Sequence, residues 1–186
     1  MKRLYKLLIF VAASTLLAIS LPRAEVSVPV VTDLQQDGEL ARKQDLPILL
    51  TFTSSICSYC YLLEEDFLQP MLLSGDYTDR VLIRKLVIDA GRSITDFNGE
   101  PSTGDKLSSR YRVFVTPTLL FVDGNGRELA ERILGINTPE LFGGYLDECI
   151  DTALERIRAP DRPASAPGCT LEHAAGDANI FRTAAP

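Results

Sequence analysis

Three short apolar runs constrain the fold of this chain more than any other feature of its sequence. They are PILLTFT at 47–53, RVLIRKLVID at 80–89 and PTLLFVD at 117–123. Near-continuous apolar runs of this length are typical of strands that are buried on both faces of a sheet. Such a sheet needs helices on both sides to cover it, so the segments around the runs should supply them.

Helical periodicity recurs between and around these runs. It predicts helices at 33–45, 58–73, 105–111 and 139–158. Pro70 should kink or end the second helix, and RELAERILG after the GNG turn predicts a fourth strand at 127–135. The polar segment 90–104 is too long for a tight connection, which is typical of functional or mobile loops. We therefore expect an α/β fold whose central mixed sheet has about four to five strands and is flanked by helices on both faces.

The amino terminus has the plan of a secretory signal peptide. Three cations precede an uncharged apolar run at 7–21, and small residues follow it. The run is short for a transmembrane helix, so we predict a signal peptide over 1–24, cleaved after Ser20 or after Ala24. An uncleaved amino-terminal anchor is the alternative. In either case the folded part is exported, and 25–158 has the length of one domain with its own core.

Charge and the carboxyl terminus limit the possible partners and the size of the folded part. The formal net charge is −6, and cleavage of the signal peptide would remove four cations and no acids, leaving −10. Such a surface is a poor partner for nucleic acid or for anionic lipid. The last segment, 159–186, is rich in Ala and Pro with little apolar periodicity, so we interpret it as a flexible tail.

Cys57 and Cys60 stand between the first apolar run and the start of the second predicted helix. A sulfur at a helix start faces unpaired N–H groups and the positive end of the helix dipole, which favours thiolate over thiol. Cys60 lies on the same face of the first turn, close enough to form a disulfide with Cys57. One activated sulfur and one resolving sulfur are what thiol–disulfide exchange requires.

Other roles for the pair have less support in the sequence. A structural bridge over so short a loop constrains little of the unfolded chain, although a binding module with a passive disulfide stays as an alternative. Zinc takes four ligands, and the chain offers one histidine, His173, and no second pair of cysteines at Cys-x-x-Cys spacing. A copper carrier is the less favoured alternative, because Met71 is the one methionine beyond the signal segment. We expect neither a metal nor another cofactor.

Three stretches together resemble the thioredoxin superfamily: PILLTFTSSICSYC, TPTLLFVDGNGREL and RILGINTPELFGGYLDECI. The resemblance covers about 34–157, and it is strongest to exported bacterial thioredoxin-like proteins, including the type associated with sulfur oxidation. It implies a thioredoxin-like fold, with Cys57 as the nucleophile and Cys60 as the resolving thiol. It also implies a cis bond between Thr116 and Pro117, which would face the sulfurs and bind an extended substrate peptide together with Tyr59.

Departures from the family pattern refine this expectation. Tyr59 and Thr116 resemble exported disulfide isomerases and reductases, but the separate dimerisation domain of those isomerases is absent. We therefore expect a monomeric, periplasmic reductase-like protein that acts on disulfides or thiols of other exported proteins and is kept reduced by a membrane-bound electron donor. Thr51 stands where thioredoxins keep a buried acid, so the proton acceptor for Cys60 is open. We interpret Glu64 and Glu65 as part of a solvated helix face.

Two further cysteines have two possible interpretations. Cys149 occupies an apolar position of the last predicted helix, as a buried and inert thiol would. In an oxidising compartment an even number of cysteines favours pairing, so the tail could instead fold back and join Cys169 to Cys149.

Overall fold

The computed structural model describes residues 26–160 and Cys169. The predicted signal peptide and all of the predicted tail beyond residue 160, apart from Cys169, lie outside these residues. The elements, in chain order, are α1 (Leu34–Gln44), β1 (Ile48–Thr53), α2 (Ser58–Leu63), a π-helical turn (Glu64–Leu68), α3 (Gln69–Ser74), β2 (Leu82–Val87), β3 (Ser93–Thr95), β4 (Pro101–Thr103), α4 (Gly104–Arg110), β5 (Thr118–Val122), β6 (Ile133–Leu134) and α5 (Pro139–Arg158).

A four-stranded mixed sheet forms the centre of the molecule, in the order β2-β1-β5-β6. β1 is parallel to β2 and antiparallel to β5, and β6 is antiparallel to β5. The extended segment before α1 adds to the outer edge of β2 through a parallel bridge between Val30 and Lys85. The predicted mixed sheet of about four to five strands is thus confirmed.

Helices cover both faces of the sheet, and each face has its own apolar core. On one face α2, α3 and α5 pack through residues such as Leu63, Met71 and Ile150. On the other face α1 and α4 pack through Leu34 and Leu107. Alternate residues of β1 point into the two cores, so all six positions of this strand are buried. Burial on both faces explains why β1 has a continuous apolar sequence and no alternation.

The long helix that starts at Ser58 differs from the prediction around Pro70. Pro70 lacks an N–H group, so it cannot continue the regular ladder of α-helical bonds. The chain accommodates it with the π-helical turn Glu64–Leu68, which precedes the proline, and the helix continues to Ser74. The expectation that Pro70 would end or kink the helix is corrected to a local change of helix type.

The predicted fourth strand at 127–135 is much shorter in the structure. Only Ile133–Leu134 pairs as a strand, and the preceding part makes a single bridge between Val122 and Glu128. Between these points Arg132 bonds to Glu128 and donates to the carbonyl of Tyr111 at 2.9 Å. The ladder is therefore interrupted only between Leu129, whose N–H still donates to the carbonyl of Phe121 at 2.7 Å, and Ile133.

The polar segment 90–104 contains a small two-stranded sheet, in which β3 pairs with β4. Asp96 lies at its turn, buried, and accepts from the N–H groups of Asn98 at 2.9 Å and Glu100 at 3.0 Å. Its other oxygen accepts from Arg110 of α4 at 2.7 Å. These bonds, led by that to Arg110, lower the pKa of Asp96 against the opposing effect of burial. The hairpin is therefore an ordered part of the fold.

Asp96 should make the stability of the protein depend on acid. A carboxyl whose pKa is lower in the folded state contributes stability that is present above its unfolded pKa of about 3.9 and is lost as the pH falls through the folded value. We expect Asp96→Asn to lower the free energy of unfolding at neutral pH by about 1–3 kcal/mol. The difference from the wild type should shrink below about pH 3. Urea titrations at several pH values measure this difference in the free energy of unfolding. A difference that does not change with pH would contradict the prediction.

Candidate active site

Cys57 and Cys60 lie just beyond the end of β1, where the chain enters α2. They form a disulfide with their Cα atoms 5.2 Å apart. Cys57 is the N-cap residue of α2, and its Sγ accepts the N–H of Cys60 at 3.1 Å. Cys57 is half-buried whereas Cys60 is buried. In the reduced protein, this N–H group and the helix dipole would favour the thiolate of Cys57.

Thr116 and Pro117 lie at the same edge of the sheet, because β5 starts beside the end of β1. The peptide bond between them is cis. The hydroxyls of Ser54 and Thr116 are 3.3 Å apart, which links the loop before Cys57 to the proline loop. The carbonyl of Pro117 accepts the N–H of Gly135 at 2.8 Å, and Pro117 itself is buried. The geometry brings both predicted loops together.

Exposed apolar side chains surround this edge. Ile56 precedes the disulfide and is 94% exposed, and Phe114 precedes the proline loop and is 87% exposed. Tyr59, Val115 and Leu134 are also largely exposed. Tyr59 stands between the two cysteines in sequence, and Leu134 lies opposite Thr118 in the β5–β6 ladder. We call Ile56, Tyr59, Phe114, Val115 and Leu134 the apolar rim.

Asp89 fixes the loop that leads to Cys57. Both of its carboxylate oxygens accept the backbone N–H of Ser55 at 3.0 Å, and Oδ1 also accepts the Ser55 hydroxyl at 3.0 Å. These bonds, the backbone one first, lower the pKa of Asp89. The loop thus has a defined position although Asp89 and Ser55 are exposed. No local motif in the sequence indicates this pair, because its members are separated by 34 residues.

An open cleft of about 540 Å³ lies on the other side of the disulfide from the proline loop, towards β2. Cys57, Cys60, Glu64, Lys85 and Arg92 are among its lining residues. Glu64 Oε2 and Lys85 Nζ are 2.6 Å apart, and their side chains are 19% and 20% exposed. The interpretation of Glu64 as part of a solvated face is therefore wrong, whereas Glu65 is exposed. The Glu64 side chain lies in the cleft because it forms an ion pair with Lys85 of β2.

Cys149 and Cys169 form a second disulfide, with Cα atoms 5.2 Å apart. Both residues are fully buried. Cys149 belongs to the core under α5, and the carbonyl of Cys169 accepts the N–H of Glu131 at 3.3 Å. These cysteines are therefore paired in a disulfide, and Cys149 is not a free buried thiol.

Neither a metal-binding cluster nor a membrane-spanning helix occurs in the described part of the chain. No group of three or more His, Cys, Asp or Glu side chains in 26–160 and at 169 could hold a metal ion. Over the same residues, no helix has the length and apolar character needed to cross a membrane. His173 lies outside the described residues.

Solved structures that resemble this chain include several thioredoxins. A poplar thioredoxin h shares 18% identity, with 66% of this chain and 96% of that chain covered and a TM-score of 0.47. Oxidised thioredoxin O2 from Arabidopsis thaliana shares 24% identity, with 65% and 93% covered and a TM-score of 0.42. Oxidised mitochondrial thioredoxin 3 from Saccharomyces cerevisiae shares 19%, with 64% and 94% covered and a TM-score of 0.44.

The search of curated proteins gave no match. The model of a family described as a thioredoxin-like domain, however, matches residues 34–150, which is more than half of the chain. This range includes the whole mixed sheet, the Cys57–Cys60 pair and the Thr116–Pro117 loop. The protein therefore belongs to the thioredoxin superfamily and contains a thioredoxin-like domain.

Proposed function

We propose that this protein is an exported thiol–disulfide oxidoreductase that reduces or reshuffles disulfides in other exported proteins. One observation carries the proposal: a half-buried sulfur caps the start of a helix, and a buried sulfur lies one turn behind it. A passive bridge does not need this asymmetry. An exchange site does, because the first thiol must meet the substrate and the second must be kept from it.

The reaction balances with the two cysteines alone. The Cys57 thiolate attacks one sulfur of a substrate disulfide and forms a mixed disulfide, and the other substrate sulfur leaves as a thiolate that takes up a proton. The Cys60 thiolate then attacks Cys57 Sγ, and the second substrate sulfur leaves. Two electrons pass to the substrate, which becomes a dithiol, and the protein is left with the Cys57–Cys60 disulfide.

The apolar rim and the proline loop are suited to an extended polypeptide. In our proposal the backbone of Thr116 pairs with the substrate chain as an added strand, and Tyr59 contacts its side chains. The rim supplies apolar contacts without requiring a particular sequence, as expected for a protein that acts on several substrates. Small disulfides, by contrast, need only the sulfurs.

Replacing Phe114 should therefore separate protein substrates from small ones. We expect Phe114→Ser to raise the KM for a protein disulfide about fivefold, because an exposed ring of this size contributes about 1 kcal/mol when a partner covers it. The rate with a small aromatic disulfide should not change. Leu73→Ser is the matched control: Leu73 is also exposed, but it lies near the far end of the helix that starts at Ser58. Equal effects of both substitutions on KM would contradict a docking role for the rim.

Export and the source of electrons are the remaining parts of the proposal. The signal-like sequence at 1–24 supports a periplasmic location. In that compartment a reductase needs a continuous supply of electrons, which we assign to a membrane-bound donor. Cell fractionation, followed by alkylation of free thiols, tests both points. The proposal expects the protein in the periplasm with Cys57 and Cys60 reduced at steady state, and a fully oxidised pair would contradict the reductase direction.

The reduction potential of the Cys57–Cys60 pair tests the redox function itself. An exchange couple has a potential within reach of cellular thiols, whereas a structural bridge has a potential below about −300 mV. Equilibration with glutathione buffers, read out by alkylation and mass, measures this value. A potential below that limit would favour a binding module with a passive disulfide, and stoichiometric copper(I) bound by the reduced protein would favour metal delivery.

A further inference from the structure

We propose that Glu64, held in place by Lys85, accepts the proton that Cys60 must lose before it attacks the mixed disulfide. The inference rests on the proposed function and names a further catalytic residue for it. Its starting point is that Cys60 is buried and faces solvent at the cleft, where water is a much weaker base than a carboxylate. A resolving thiol in this position needs a base nearby.

The helix brings Glu64 to Cys60. Glu64 follows Cys60 by four residues, and its backbone N–H donates to the Cys60 carbonyl, so the two residues lie one above the other on the same face. Both side chains line the cleft beside the disulfide. The cleft, of about 540 Å³, is wide enough to admit water molecules that can carry a proton between them.

The sheet provides the partner of Glu64. Lys85 of β2 points to the same cleft and holds the Glu64 carboxylate through the 2.6 Å contact. Thr51 of β1 lies directly opposite Lys85 in the ladder, fully buried, and its hydroxyl has no hydrogen-bond partner among the described residues. A hydroxyl cannot take a proton from a thiol near neutral pH. The base behind Cys60 therefore comes from the helix and not from β1.

The other charged or titratable groups around the cleft do not compete for this role. Apart from the two cysteines, the titratable side chains that line it are those of Tyr61, Glu64, Lys85 and Arg92. Glu64 is the one carboxylate among these lining residues. Asp89 lies near the mouth of the cleft, but both of its oxygens already accept hydrogen bonds from Ser55.

The step balances within the residues named. The proton of the Cys60 thiol passes through water to the Glu64 carboxylate, and the Cys60 thiolate attacks Cys57 Sγ. The bond between Cys57 and the substrate breaks, the Cys57–Cys60 bond forms, and the leaving substrate thiolate takes up one proton. Glu64 then returns its own proton to solvent. Lys85 takes no part in the transfer and keeps the carboxylate facing the cleft.

A two-phase reaction with a symmetric aromatic disulfide, dithiobis(nitrobenzoate), separates this step from the first one. Attack by Cys57 releases one coloured thiolate, and attack by Cys60 on the mixed disulfide releases the second. The full chain is reduced gently, so that mass analysis after alkylation finds two free thiols, and both phases are followed from about pH 6 to about pH 9. Glu64→Gln is the test variant. Glu65→Gln is the matched control, because Glu65 is the adjacent, exposed glutamate.

We expect Glu64→Gln to slow the second phase about tenfold or more near pH 6.5 and to leave the first phase unchanged. The deficit should vanish near pH 9, where hydroxide can deprotonate the thiol without a base from the protein. Glu65→Gln should match the wild type in both phases.

Several results would overturn the inference. One is a second phase in Glu64→Gln that stays within about twofold of the control at every pH. Another is an equal slowing of both phases, which would mean that Glu64 acts on Cys57 or on folding. A first phase as fast as that of the wild type shows that the Cys57 thiolate keeps its reactivity, so a slow second phase cannot be assigned to loss of the attacking thiol. A wild type without a rapid first phase would remove the proposed function and this inference together.

Discussion

Cys57→Ser should abolish turnover of a protein disulfide. In an insulin-reduction assay with dithiothreitol, we expect the variant to give the rate of dithiothreitol alone, a loss of at least about a hundredfold in the catalysed rate. The reason is chemical: a serine hydroxyl in the same position, capping the same helix, is not ionised near neutral pH and does not attack sulfur. Serine is a good N-cap residue, so the start of α2 should be preserved.

Cys60→Ser is the informative companion of this variant. It keeps the attacking thiol at Cys57 but cannot resolve the mixed disulfide, so a covalent complex with the substrate should accumulate and appear on a non-reducing gel. Cys57→Ser should give no such complex. Equal insulin-reduction rates for the wild type and Cys57→Ser would remove the enzymatic claim, whatever the gel shows.

Removal of the second disulfide should have the largest effect on stability. Cys149 and Cys169 are separated by 20 residues, and a bridge over a loop of this length stabilises a fold by about 3 kcal/mol. We expect the double variant Cys149→Ala, Cys169→Ala to lose about this much of its free energy of unfolding, measured in urea. Insulin reduction should persist below the midpoint of unfolding, because neither residue is among those that line the cleft beside Cys57 and Cys60.

The double variant Cys57→Ser, Cys60→Ser is the control for this experiment. Its bridge spans a separation of 3 residues, so its removal relieves less constraint on the unfolded chain and should cost about 1.6 kcal/mol, roughly half the cost of losing the longer bridge. The two double variants lose the same number of sulfurs from different loops. If they were equally destabilised, loop length would not be the cause.

The central sheet could be predicted because burial on both faces leaves a strong signal in the sequence. β1 and β5 appear as continuous apolar runs, and α5 has the predicted bounds of 139–158. The segment 127–135 shows the limit of such patterns. Its sequence is compatible with one continuous strand, but the ladder is interrupted before Ile133, where Arg132 bonds to Glu128 and to the carbonyl of Tyr111 after α4. Contacts of this kind depend on tertiary structure and leave no periodicity.

The residues of the candidate site also differ in whether the sequence could identify them. Cys57, Cys60 and the Thr116–Pro117 loop could be identified because each belongs to a local motif. Glu64 could not, because its role depends on the register that places Lys85 beside α2. The residue pair is separated by 21 positions, and only the parallel ladder brings its members together. The missing acid at Thr51 was the one signal in the sequence that a proton acceptor had to come from elsewhere.

The Cys149–Cys169 bond is buried, so external thiols should reduce it much more slowly than the Cys57–Cys60 bond. An incoming thiolate has to approach along the axis of the bond that it cleaves, and no such path exists to a pair of sulfurs in residues that are fully covered. The Cys57–Cys60 bond can therefore open and close many times while the Cys149–Cys169 bond persists. The bond that joins Cys169 to α5 is thus kinetically separate from electron exchange at Cys57 and Cys60.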